Sequence, residues 1–298
     1  MSKIVLIFFT LCGILFMLID KGGFLMEKFK TNHIYNEDCI ETLRTIYKSK
    51  EKIDIVVTSP PYNTSRVGRK DKYSTRYDGY GDNMTDDEYI SWTKKIFNAL
   101  NYTLSDNGCI LYNISYSGEN THLQHLVVSE IISNTDFTVA DVIYWKKKSA
   151  LPNNVSKNKL TRIVEPIYVF CRKSELLTFN SNKKVKSINE KTNQKFYENV
   201  FNFIEAKNND GSNNLNKATF SSDLVYSLLD MYATDESIVY DPFMGTGTTA
   251  IGALRYNKEN GYNLKFIGSE ISSKQVEFSN NRIVEFENMI DKGRKANV

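Results

Sequence analysis

Histidine is scarce in this chain. Three residues in 298, at positions 33, 122 and 125, leave little material for imidazole-based acid–base or metal chemistry. His122 and His125 stand three apart on an expected helix, a spacing that suits a bland surface role better than ligation. The four cysteines, at 12, 39, 109 and 171, show no C-x-x-C spacing and no paired histidine, so neither a zinc site nor a disulfide framework is indicated, and a reducing compartment fits. No internal repeat is evident. Long apolar runs are also missing, with one near-exception. Ile4 to Ile19 is an uncharged, mostly apolar stretch of 16 residues, shorter than the ~20 that span a bilayer. It lacks a clear small-residue cleavage site for export. The expectation is that residues 1–25 precede the natural start, that native protein begins at Met26 or Glu27, and that the protein stays cytoplasmic rather than on a membrane.

What is present is an ordinary globular composition, 41% hydrophobic and 24% charged, with a mild formal charge of +3. The distribution says more than the sum. Thr64 to Tyr77 carries five basic residues against one aspartate, and Tyr144 to Arg162 carries six with no acid. Arg172 to Lys195 carries seven against two glutamates. Such stretches are the electrostatic footprint of a face that meets phosphate backbones, although any one of them also reads as a solvated loop.

Of only five prolines, two are adjacent. The segment Thr58-Ser59-Pro60-Pro61-Tyr62-Asn63 follows the apolar run Ile53-Asp54-Ile55-Val56-Val57 and turns a buried strand into a stiff polar tip. Two prolines fix φ and supply no N–H, so the neighbouring carbonyls are held as acceptors beside the flat ring of Tyr62. A hydroxyl and a rigid carbonyl accept from an exocyclic amine, and an aromatic stacks on a base. Alone, the segment reads equally well as a strand exit closed by a turn.

Short apolar strands alternate with amphipathic stretches, the α/β pattern. Strands are expected at His33–Tyr35, Ile53–Thr58, Gly108–Ile114, Phe137–Trp145, Ile163–Cys171, Ile238–Tyr240 and Phe266–Gly268. Helices are expected at Asp38–Lys48, Asp86–Leu104, Thr121–Ser133, Ser222–Ala233, Thr248–Tyr256 and Ser273–Ile290. Thr85 is placed to cap the second helix, whose Tyr89, Trp92, Ile96 and Leu100 share one face. Between Ser174 and Lys217 asparagine, lysine and serine dominate, which reads as a small insertion on the main sheet.

A second motif, Asp241-Pro242-Phe243-Met244-Gly245-Thr246-Gly247-Thr248-Thr249-Ala250, follows the strand ending at Tyr240 and opens a helix. Its G-x-G-x-x-A core lets the backbone turn tightly and approach a ligand at a helix N-terminus. No lysine follows the second glycine, which excludes a Walker A loop. Glu270 ends the next strand, 23 positions after Gly247, where an acid accepts from ribose hydroxyls. By itself the loop admits a nicotinamide cofactor, or a tight turn with no ligand.

Together the T-S-P-P-Y tip and the D-P-F-x-G-x-G-T-T loop closely resemble the catalytic and S-adenosylmethionine motifs of amino-methylating DNA methyltransferases, which modify cytosine N4 or adenine N6. The catalytic motif comes first, as in the circularly permuted β group of that family, of restriction-modification type. Asn36-Glu37-Asp38-Cys39, Asn216-Lys217-Ala218-Thr219-Phe220, Trp145 and the stretch Arg162 to Lys173 echo further segments, so the likeness runs from Lys30 to about Ser279. The resemblance implies a Rossmann-like class I methyltransferase sheet with helices on both faces. Residues 26–173 would form the catalytic half, 174–215 a target-recognition insertion and 216–298 the cofactor half, after the apolar 1–25.

It further implies that Ser59 Oγ and the Pro60 carbonyl accept from the target amine, that Pro61 stiffens the tip, and that Tyr62 stacks on a flipped base. Around S-adenosyl-L-methionine it places Asp38 at the adenine, Glu270 at the ribose, and Asp241, Phe243, Gly245, Thr246 and Gly247 at the methionine end, with Phe220 as a wall. No metal is implied. Arg66, Arg69, Lys70, Lys72 and Arg76 would contact the DNA backbone beside the flipped base. Double-stranded DNA is the implied partner, with a cognate restriction endonuclease and a homodimer left open. Many adenine-modifying relatives carry Asp or Asn where this chain has Ser59, which puts cytosine N4 slightly ahead. The rival readings are a nicotinamide dehydrogenase, an inactive DNA-binding protein, and methylation of RNA or protein by a related fold.

Overall fold

A computed structural model describes residues 29–63, 84–115, 120–150, 152–154, 157–179, 181–211, 216 and 219–295. The expectations for residues 1–25 and for Arg66, Arg69, Lys70, Lys72 and Arg76 lie outside the described residues. Ten strands are described: β1 (His33–Tyr35), β2 (Ile53–Thr58), β3 (Leu104–Asn113), β4 (Phe137–Lys147), β5 (Val164–Arg172), β6 (Val185–Asn189), β7 (Gln194–Tyr197), β8 (Phe203–Ala206), β9 (Ile238–Asp241) and β10 (Lys265–Ser269). Six helices join them: α1 (Cys39–Ser49), α2 (Asp86–Thr103), α3 (Leu123–Asn134), α4 (Ser222–Tyr232), α5 (Thr248–Asn260) and α6 (Ser273–Lys295).

Eight strands form one sheet in the order β1-β10-β9-β2-β3-β5-β4-β8, while β6 and β7 make a separate hairpin. Within the sheet only β5 runs antiparallel to its neighbours. Strands buried on both faces read as continuous apolar runs, and their alternation sorts side chains to two cores. Ile55 and Val57 of β2, Leu111 of β3 and Val239 of β9 pack with Leu224, Val225, Ala250, Ile251 and Ile283 from α4, α5 and α6. Ile53, Val56, Ile110, Tyr112 and Tyr240 face the other way, onto Leu43, Ile46, Ile96, Phe97 and Val127 from α1, α2 and α3. Helices therefore cover both faces, as the resemblance implied.

β9, which carries the glycine loop, lies beside β2 with Ile55 opposite Val239 and Val56 opposite Tyr240. The two motifs, far apart in sequence, are thereby brought to neighbouring strand ends. Local signals explain the boundaries. Thr85 and Glu88 form a reciprocal capping box at the start of α2, and Gly261 in the left-handed region (φ 72°) closes α5 with its N–H on the Asn257 carbonyl.

Two expectations are corrected. β3 begins at Leu104 rather than Gly108, because Leu104 pairs with Ile53 across the polar Ser105-Asp106-Asn107 stretch. The segment read as an insertion on the sheet also contributes to it: β8 adds an edge strand parallel to β4, pairing Trp145 with Ile204 and Lys147 with Ala206.

Candidate active site

β1, β10, β9 and β2 run parallel as four consecutive neighbours, so their C-terminal ends open on one side, where ligands bind in such sheets. Glu37 and Asp38 follow β1, Ser59 and Pro61 follow β2, and the loop from Asp241 to Thr246 leaves β9. Glu270 and Ile271 follow β10. With Trp92, Asn216, Thr219, Phe220 and Gln275 these residues line a cleft that is partly open to solvent.

Asp241 ties the cleft together. It is 1% exposed. Its Oδ1 accepts from Thr58 Oγ1 at 2.8 Å and from the Phe243 N–H at 3.0 Å, and its Oδ2 accepts from Thr249 Oγ1 at 2.6 Å. One carboxyl group thus joins the end of β2, the glycine loop and the first turn of α5. Burial pushes it up to about 6, outweighing those hydrogen bonds, and the nearby negative charge of Glu270 adds to the rise.

A pH dependence follows from that shift. In the unfolded chain Asp241 ionises near its ordinary value of 3.8, so its contribution to stability is fully present below about pH 4 and falls as pH rises to 6. The loss amounts to about 3 kcal/mol, at ~1.4 kcal/mol per unit. Asp241→Asn keeps the shape and removes the titration. The difference in unfolding free energy between the variant and wild type, read from urea midpoints without ligand, is expected to grow in the variant's favour by about that amount between pH 4 and 7. A difference independent of pH would refute the assignment.

The glycine loop is held from several sides. Gly245 lies in the left-handed region (φ 55°), which favours glycine, and a Cβ there would press on Asn216 Nδ2, a cleft wall, at 3.2 Å. Gly247 (φ 80°) forms the N-cap of α5 without a side-chain cap, leaving the helix start to the backbone. Ser279 Oγ donates to the Gly245 carbonyl at 2.8 Å, and Arg282 donates to the Thr246 carbonyl at 3.1 Å. Glu270 accepts from the Gly245 N–H at 3.0 Å and the Ser272 N–H at 2.9 Å, and burial raises its pKa. Each carboxylate oxygen keeps further acceptor capacity for a ligand hydroxyl. Asp38 caps α1 through the Ile40 N–H at 2.8 Å and borders the cleft with its neighbour Cys39, whose thiol burial holds protonated.

At the proline tip, Tyr89 OH donates to the Pro61 carbonyl at 2.6 Å, and Asn63 (φ 52°) donates through Nδ2 to the Met84 carbonyl at 2.8 Å. Ser59 Oγ lies 2.8 Å from Tyr62 OH, which donates to Asn113 Oδ1 at 2.9 Å and has Glu165 Oε2 at 3.5 Å.

Asp38, Ser59, Pro61, Phe220, Asp241, Phe243, Gly245, Thr246 and Glu270 all line the one cleft. Pro60, Tyr62 and Gly247 are not part of its wall. Pro60 is buried, Tyr62 packs against the core formed with α1, α2 and α3, and Gly247 backs onto Ser279. Sequence reasoning missed Asn113, Glu165 and Gln275 altogether. It placed Trp92 on an apolar helix face, where its ring in fact meets Phe243 at 5.3 Å between centroids. For Asn113 and Glu165 the available signal was a polar residue within an otherwise apolar strand.

Known proteins resemble this chain. The type II methyltransferase M.HinfI of Haemophilus influenzae is 25% identical over 264 residues, covering 85% of this chain and 68% of its own length. The orphan methyltransferase M.BamHII of Bacillus amyloliquefaciens is 26% identical over 269 residues, covering 78% of this chain and 88% of its own. The solved PvuII DNA methyltransferase, described as cytosine-N4-specific, superposes with a TM-score of 0.61 at 21% identity, over 88% of this chain and 93% of its own. A modification methylase of Thermus thermophilus, TTHA0409, solved with S-adenosyl-L-methionine, superposes with a TM-score of 0.52 at 17% identity, over 85% and 95%. These last two likenesses concern the fold. The DNA methylase model for N6 and N4 methyltransferases matches residues 53–281, well over half the chain and both motifs. The chain therefore belongs to that family and is an S-adenosylmethionine-dependent DNA methyltransferase.

Proposed function

We propose that the chain methylates cytosine N4, in preference to adenine N6, on a base flipped out of double-stranded DNA. The character of the cleft supports the cofactor half of this reading. Among the described residues its wall carries the carboxyls of Glu37, Asp38, Asp241 and Glu270 beside the rings of Trp92, Phe220 and Phe243, and neither lysine nor arginine. A pyrophosphate would bring negative charge among these four carboxyls, whereas a sulfonium brings a positive charge that carboxylates and aromatic faces favour. The residues present fit S-adenosylmethionine, which when bound supplies a methyl group on a positively charged sulfur. Glu270 is placed for ribose hydroxyls and Asp38 for the adenine. On this reading the tight turn at Gly245 and Thr246 takes the methionine end.

Ser59 supports the other half. An exocyclic amine is a poor nucleophile because its lone pair is delocalised into the ring. Accepting its two N–H groups at Ser59 Oγ and the Pro60 carbonyl localises that pair and aims it into the cleft. Direct transfer needs no thiolate, consistent with the protonated state of Cys39. Flipping costs a few kcal/mol, which the basic segment 66–76 would offset through phosphate contacts. Sequence reading falls to the segment 174–215, whose β6–β7 hairpin is exposed along its whole length. This reading calls for a cytoplasmic enzyme.

Nucleoside mass spectrometry of DNA from cells expressing the chain, together with long-read modification mapping, tests the proposal. N4-methylcytosine at one short site is expected. N6-methyladenine would overturn the base preference alone, and the absence of both would overturn the function.

A further inference from the structure

The Ser59 hydroxyl has one proton, and its direction decides whether the residue accepts or donates at the cleft. That direction is set elsewhere. Asn113, at the end of β3 and 4% exposed, donates through Nδ2 to the Pro166 carbonyl at 3.0 Å. A carbonyl only accepts, so the amide nitrogen must face Pro166 and Oδ1 must face Tyr62. Tyr62 OH therefore donates to Asn113 Oδ1 at 2.9 Å. Among the described residues, a further group near that hydroxyl, Glu165 Oε2 at 3.5 Å, belongs to a carboxylate whose second oxygen pairs with Lys147 Nζ at 2.5 Å, so it too accepts. Whichever takes the tyrosine proton, the phenol oxygen is left to receive, and Ser59 must donate to it across 2.8 Å.

We infer that Asn113, acting through Tyr62, fixes the order of protons in this chain so that Ser59 presents its lone pairs, and not its proton, to the cleft. Asn113 is thus a positioning residue for amine recognition, with Glu165, paired to Lys147, as a second acceptor at the same hydroxyl. The inference rests on the proposed transfer to an exocyclic amine. An amine that must lose hydrogen-bonding freedom to become nucleophilic needs an acceptor at this point; a serine free to rotate would spend its proton on the ring nitrogen or on water instead.

The test is a mutant cycle in single-turnover methylation of DNA, with cofactor binding measured separately by calorimetry. Tyr62→Phe and Asn113→Leu are each expected to lower the transfer rate about tenfold, the size of one hydrogen bond, with the cofactor dissociation constant within about twofold of wild type. Tyr62→Phe removes one oxygen and serves where Asn113→Leu does not fold. In a Ser59→Ala background neither change should lower the rate further, because the chain then ends on nothing. A general structural role would reduce the rate in both backgrounds equally, and that result, or unchanged rates in the serine background, would overturn the inference while leaving the methyltransferase reading intact. A wild-type chain that transfers no methyl to any base amine would overturn both.

Discussion

Ser59→Ala is expected to lower kcat for DNA methylation by about 10²- to 10³-fold, the loss seen when one preorganised hydrogen-bonding group is taken from a developing charge. The effect should fall on kcat alone. Ser59 follows β2, while Asp241, Gly245 and Glu270, contributed by β9, its loop and the end of β10, remain in place in the cleft wall. S-adenosylmethionine should therefore bind with an unchanged dissociation constant. The Pro60 carbonyl is backbone and survives the substitution, so residual transfer above background is expected. Steady-state rates with tritiated methyl donor, beside calorimetric titration of the cofactor, separate the two quantities. A variant that retains wild-type kcat, or one that loses cofactor binding in step with rate, would remove Ser59 from the reacting centre.

The largest effect on stability is expected at Gly252, in the middle of α5. A Cβ there would lie 2.4 Å from Val225 Cγ1 and 2.5 Å from Val225 Cβ on α4. Val225 is fully buried, so it has nowhere to retreat without moving its helix. Gly252→Val is expected to cost about 3 kcal/mol, the upper end for overpacking in a dense core, against only about 0.3 kcal/mol returned by valine's slightly better helix propensity. The damage should reach the site, because the first turn of α5 carries Thr249, one of the three donors to Asp241. Chemical denaturation measures the loss, and adding Val225→Ala should recover at least half of it. No recovery would mean that the close approach of the two helices is not the cause.

The two motifs were legible because each combines strand, turn and glycine or proline at fixed spacing, and such punctuation survives any tertiary context. Thr85, read as a cap, does cap α2 through its hydroxyl. The faces of β2 and β9 were legible as apolar runs, but their adjacency was not, since nothing local to Ile55 or Val239 names the other. The resemblance to permuted methyltransferases implied one sheet with helices on both faces but no strand order. β8 escaped because it is four residues long, alternates exposed Phe203 and Glu205 with buried Ile204 and Ala206, and lies in a segment, 174–217, whose prevailing asparagine, lysine and serine read as an insertion. Asn113 and Glu165 escaped for a different reason. A polar residue inside an apolar strand announces a partner without identifying it, and both partners here come from segments more than fifty positions away.

The position of β9 between β10 and β2 has a consequence for synthesis. During translation β2 and β3 are complete long before residues 238–269 leave the ribosome, so one row of β2 amide and carbonyl groups faces no strand until the last third of the chain arrives. Pairing across nearly two hundred residues carries a high contact order and slows closure of the sheet. The nascent enzyme thus passes through an interval in which its catalytic tip exists without the floor of its cofactor cleft. In that interval it is exposed to edge-to-edge association and needs either a quick finish to translation or a chaperone's cover.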